Sequence, residues 1–175
     1  MFSGAVYHCV DRIHAQPGMP ARLIAESESE LCRTVDLVFT TSPELQASLM
    51  PLNVCTYYYG NVADQAHFSA ALDVPPAPAQ LADLSKPRLM FVGAIDAYKL
   101  DLPMLTTLAR RRSDWSFVLV GPVGETDPET SIDVLRALPN VHVMGLQAYA
   151  DLPAWLAHAD VALLPLQDNT YTQHM

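Results

Sequence analysis

Short apolar runs alternate along this chain with longer stretches in which apolar residues return every three or four positions, and turn residues separate the two kinds. Residues 5–10, 37–40 and 54–59 read as three strands. Between the first two, residues 21–35 place Leu23, Ile24, Leu31 and Val35 on one helical face, with Glu26, Glu28 and Glu30 mostly pointing away from it. Ser42 ahead of Pro43 and Glu44 predicts a second helix, because the hydroxyl caps the first turn and proline has no N–H to lose there. That helix fades before Pro51.

The texture changes over residues 73–87, where Pro75, Pro76, Pro78 and Pro87 stand among small residues; this stretch reads as a linker between two domains. Beyond it the alternation is regular. Strands are expected at 89–92, 116–120, 141–144 and 161–164, with helices at 102–112, 128–138 and 152–158 between them. Such a pattern predicts right-handed βαβ units and a parallel sheet with helices on both faces. Asp101, Asp127 and Asp151 each stand close to a proline and are expected to open the three helices. Just ahead of each helix a strand ends in glycine: Gly93, Gly121 and Gly145. Three neighbouring strand ends without side chains leave a crevice at the carboxyl edge of the sheet, where open α/β sheets bind ligands.

With 50% hydrophobic residues in 175, the chain can bury a real core. Its formal net charge of −9 provides no positive field for a nucleic-acid backbone. Cys9, Cys32 and Cys55 are widely spaced and form no disulfide framework or Cys-x-x-Cys pair, which fits a reducing cytoplasmic setting. The N-terminus lacks the basic start and apolar core of a signal peptide, and no run reaches membrane-spanning length. Peripheral membrane contact stays open.

Neither a Gly-x-Gly-x-x-Gly fingerprint nor a P-loop follows any of the strands, which argues against an ordinary NAD enzyme and an NTPase. The Gly121-Pro122-Val123-Gly124 turn could offer backbone donors to an anion. Lys99 reads equally well as a phosphate partner or as a solvated lysine. Arg110, Arg111 and Arg112 offset a helix dipole. The six histidines show no metal-binding spacing; His8 and His142 read first as packed residues, and Trp115 and Trp155 as packing anchors. No nucleophile motif or carboxylate pair can be picked out, so no catalytic residue is named.

Two sets of stretches together resemble the GT-B glycosyltransferases, specifically the large retaining group called glycosyltransferase family 4 or glycosyl transferases group 1. The first comprises Tyr7-His8-Cys9-Val10-Asp11, Glu30-Leu31, the segment from Asp36 to Ser42, Gly60-Asn61-Val62-Ala63-Asp64 and His67-Phe68. The second comprises the segment from Arg88 to Asp96, that from Trp115 to Pro122, Asn140-Val141-His142-Val143-Met144-Gly145, Leu152-Pro153 and the segment from Ala159 to Leu166.

The resemblance implies an α/β, GT-B-like fold made of parts of two Rossmann-like domains with parallel sheets, both incomplete. Residues 1–72 would close the acceptor-side domain, 73–87 would link, and 88–175 would open the donor domain. It further implies a nucleotide-diphosphate sugar as donor, a glycan or lipid-linked acceptor, transfer to a hydroxyl with retention, and no cofactor or obligatory metal. By position Gly93 and Lys99 match the phosphate-side loop, Gly121 and Pro122 the second strand end, Gly145 and Tyr149 the loop near the base, and Asn169 a loop facing the sugar. Lys99→Ala is then expected to weaken turnover far more than folding.

The chain departs from the family pattern at both ends, without the early glycine-rich loop and without the ribose-binding glutamate helix. A fragment of a sugar transferase is the reading this favours, binding nucleoside diphosphates weakly at most. A non-catalytic Rossmann-like binding or regulatory module is the alternative.

Overall fold

The computed structural model describes residues 4–174. The chain divides into two compact units, Met1–Val62 with Asp168–Met175, and Ala63–Gln167.

In the first unit, β1 (Val6–Cys9), β2 (Leu37–Thr40) and β3 (Thr56–Tyr58) form a parallel sheet in sequence order. Helix α1 (Ala21–Thr34) joins β1 to β2, and α2 (Pro43–Leu49) joins β2 to β3. Cys9 and Val38 from the sheet pack with Cys32, Leu45 and Leu49 from the helices. Ser42 caps α2 as expected, its Oγ accepting the Leu45 N–H at 3.2 Å. The same hydroxyl donates to the His174 carbonyl at 3.1 Å, and Gln16 Nε2 donates to the Tyr171 hydroxyl at 3.3 Å. These bonds are why residues near 170 group with the first unit although they follow the last strand. His8, read as a packed residue, is exposed on β1.

The second unit holds α3 (Gln65–Phe68) and a four-stranded parallel sheet in the order β6-β5-β4-β7. Its strands are β4 (Arg88–Val92), β5 (Ser116–Val120), β6 (Val141–Gly145) and β7 (Val161–Ala162). Helices α4 (Leu102–Arg111), α5 (Asp133–Arg136) and α6 (Leu152–Ala157) connect them. The apolar strand runs exist because both faces are covered. Leu89, Phe91, Phe117 and Leu119 face Leu105 of α4 and Leu135 of α5, whereas Met90, Val118 and Val120 face Leu81 and Trp155 on the other side.

Three expectations change here. The proline-rich stretch 73–87 is packed onto the second unit, whose boundary lies earlier, after Val62. Leu81 is fully buried, the Arg88 guanidinium donates to the carbonyls of Leu81 (2.8 Å) and Leu84 (2.9 Å), and His158 Nε2 lies 2.8 Å from the Pro75 carbonyl. The helix expected at 128–138 is confined to α5, because residues before it are held in a loop in which Thr130 bonds Asp127 and the backbone of Ala97. Of the three aspartates expected to start helices, Asp101 does so, its Oδ1 accepting the Met104 N–H at 2.8 Å. Asp151 makes no capping bond because a 3-10 turn, Tyr149–Asp151, runs directly into α6.

Candidate functional site at the glycine edge

The three strand-ending glycines lie side by side. The Gly93 N–H donates to the Val120 carbonyl at 2.9 Å, and the Gly121 N–H donates to the Gly145 carbonyl at 2.8 Å, so neighbouring strands stay hydrogen-bonded at the edge although the β5–β6 register shifts between Leu119 and Val120. At Gly121 a Cβ would stand 1.9 Å from the Gly93 carbonyl oxygen, and φ is +141°. Only glycine fits there. Gly145, at φ +68°, would meet nothing within 4 Å with a Cβ added, so its side faces open space. The amides of Gly93 and Gly121 are spent on the sheet; what these residues contribute to the edge is room.

The loops that leave this edge are stitched together. Ile95 donates to the Pro122 carbonyl at 2.8 Å and accepts the Gly124 N–H at 3.0 Å. Pro122 has no N–H, and its carbonyl is occupied by Ile95, so it shapes the turn. Beneath lies Asp96, a fully buried carboxylate that the sequence reading passed over. It accepts the Thr126 hydroxyl at 2.6 Å and the N–H groups of Thr126 and Asp127 at 3.2 Å. Lys99 Nζ stands 3.6 Å from Asp96 Oδ2 with its side chain 19% exposed. Lys99 is therefore not a solvated lysine: it stands beside a buried anion. The Asp-x-x-Lys spacing at the start of a loop was the available signal.

Tyr149 sits in the loop after β6 against a partner far away in sequence. Its ring stacks on His67 of α3 with centroids 4.3 Å apart and planes 14° from parallel, and His67 Nε2 lies 2.9 Å from the Tyr149 carbonyl oxygen. Phe68 meets Tyr149 edge-on at 5.7 Å. Asn169 groups with the first unit and the other six predicted site residues with the second; its Oδ1 accepts the N–H groups of Tyr171 (2.9 Å) and Thr172 (3.1 Å), a local turn.

Other titratable groups have structural explanations. Burial and the Glu28 carboxylate beside them push the Tyr7 phenol well above its usual range and the Cys9 thiol up to about 12, so both stay neutral. Burial pushes the His142 imidazole down. Arg112 pairs with Asp114 and lies 3.7 Å over the Trp115 ring. Among the described residues, no cluster of three or more His, Cys, Asp or Glu could hold a metal ion, and no helix is long and apolar enough to cross a membrane.

Three comparisons bear on this architecture. The TuaH protein of Bacillus subtilis (strain 168), whose name describes a teichuronic acid biosynthesis glycosyltransferase, is 33% identical over 85 residues, 49% of this chain and 21% of that protein. Anabaena HepE, solved with UDP and glucose, superposes with a TM-score of 0.65 at 19% identity over 90% of this chain and 45% of that one. Sucrose-phosphate synthase from Thermosynechococcus elongatus gives a TM-score of 0.61 at 20% identity, covering 92% of this chain and 43% of that one. The chain thus spans less than half the length of these proteins, and the two structures share its fold, that of GT-B glycosyltransferases. Residues 86–174, half the chain and all four strands of the sheet that carries the glycine edge, match one family: the chain belongs to the glycosyl transferases group 1.

Proposed function

We propose that the second unit is the donor side of a retaining glycosyltransferase that takes a sugar from a nucleotide-diphosphate sugar and passes it to an acceptor hydroxyl. Uridine diphosphate sugars are the donor class the comparisons favour, since HepE is solved with UDP and with UDP-glucose. A hexosyl donor, a glycan or lipid-linked acceptor, and a place in polysaccharide or glycoconjugate synthesis complete the reading. The enzyme would work in the cytoplasm, at the inner face of the membrane where its acceptor is lipid-linked. It uses no resident cofactor or metal.

The observation that carries this is the adjacency of Gly93, Gly121 and Gly145 at the carboxyl edge of one parallel sheet. Transfer breaks the bond between the anomeric carbon and the diphosphate oxygen, and negative charge develops on the departing group. Room at the edge lets main-chain dipoles and cations come close to that charge, where they act without reorganising. Pro122 and Asp96 would hold the edge in shape, with Lys99 at its margin.

Titration of the isotope-labelled chain with UDP and UDP-glucose, followed by NMR, tests the reading. The amides of Gly93, Gly121 and Gly145 are expected to shift together, with a dissociation constant on the order of a millimolar. Shifts scattered over the surface, or none, reject it.

A further inference from the structure

We infer that His67 and Phe68 are positioning residues that clamp Tyr149, so that the loop after Gly145 presents a preformed apolar seat for the planar base of a nucleoside diphosphate. This rests on the donor reading above and adds to it residues from α3, a helix that precedes the sheet.

The loop leaves the glycine edge at Gly145, beside open space. It carries Leu146, 78% exposed, and Tyr149, 55% exposed although His67 stacks on one of its faces. Two exposed apolar side chains on a loop at a ligand-binding edge suit a flat, weakly polar group better than a phosphate. A loop tyrosine would ordinarily sample several rotamers and lose that freedom on binding. Here the order is already present. His67 stacks on the ring, and its Nε2 bonds the Tyr149 carbonyl, fixing side chain and backbone together. Phe68 packs edge-on against both rings, at 4.9 Å from His67 and 5.7 Å from Tyr149. The clamp is itself anchored, since Asp64 Oδ1 accepts the His67 N–H at 3.0 Å at the start of α3.

The experiment compares UDP with inorganic pyrophosphate on the full chain by NMR titration, for the native sequence and for H67A, H67F, Y149A and the H67A/Y149A double variant. Base stacking on one aromatic ring predicts that Y149A weakens UDP about tenfold and H67A about fivefold, with pyrophosphate binding unchanged in both. The double variant is expected to bind UDP no more weakly than Y149A, because His67 acts through Tyr149, and H67F, which keeps the stack, is expected to recover most of the H67A loss. Equal losses for UDP and pyrophosphate, additive losses in the double variant, or a Y149A chain that binds UDP normally would overturn the clamp and leave the donor reading standing. A native chain that binds neither ligand overturns both.

Discussion

At the level of single residues, the roles of Gly121, Gly145, Asp96 and Lys99 can be separated by substitution. G121A forces a methyl against the Gly93 carbonyl and should break the ladder between β4 and β5 at its end, whereas G145A meets no neighbour and carries only the cost of a left-handed backbone. That cost is about 1–2 kcal/mol. Thermal denaturation of the two variants should therefore show a much larger loss for G121A, and comparable losses would mean the edge is looser than its hydrogen bonds imply. Read by position, removal of Lys99 should weaken turnover far more than folding; with Asp96 fully buried 3.6 Å away, removal also strips a cation from a dry carboxylate. K99A is expected to lose on the order of 2 kcal/mol, less than for an otherwise unsupported ion pair because Asp96 keeps its hydroxyl and amide donors. The K99A/D96N double variant should recover part of that loss in urea denaturation; an undiminished loss would place the lysine's partner elsewhere.

Among the elements, helix starts show where local sequence suffices. Asp101 and Asp151 sit in nearly the same words, Asp-Leu-Pro, yet only Asp101 caps its helix through its side chain. D101A should cost about 1 kcal/mol and D151A close to nothing, measured as unfolding free energies. A loss for D151A matching that for D101A would show a cap the geometry does not contain. The signal is identical; the difference comes from Tyr149, which His67 holds so that a 3-10 turn enters α6. The same lesson applies to residues 128–138. Their apolar spacing is helical, but the hydroxyl of Thr130 is drawn to Asp127 and Ala97, and the chain stays a loop until Asp133.

Across the whole molecule, acid should weaken the second unit in two steps. Burial lowers the His142 pKa in the folded state, so as pH falls below the ordinary histidine value of about 6.5 the unfolded chain takes up the proton first and stability drops. The Asp160 carboxyl is held below its usual range by the Arg88 N–H and then by Lys86, so its contribution is present above about pH 4 and is lost as pH falls further. H142Q should flatten the upper step and D160N the lower one in stability measured against pH. A single step unaffected by either substitution would assign the acid sensitivity to other groups.

Much of this architecture was already written in the order of residues. The strands at 37–40 and 116–120, helix α4, the caps at Ser42 and Asp101 and the three glycine strand ends depend on neighbours within a few positions, and side-chain period and capping chemistry act over that range. Folding alone brought His67 to Tyr149, 82 residues apart, and His158 to the Pro75 carbonyl of the proline-rich stretch, 83 residues apart. It likewise returned the residues near 170 to the first unit and closed Thr126, 30 residues on, and Asp127 over the Asp96 carboxylate. Such pairings are selected by burial and by the need of every buried polar group for a partner, conditions that exist only once distant segments have excluded water from between them.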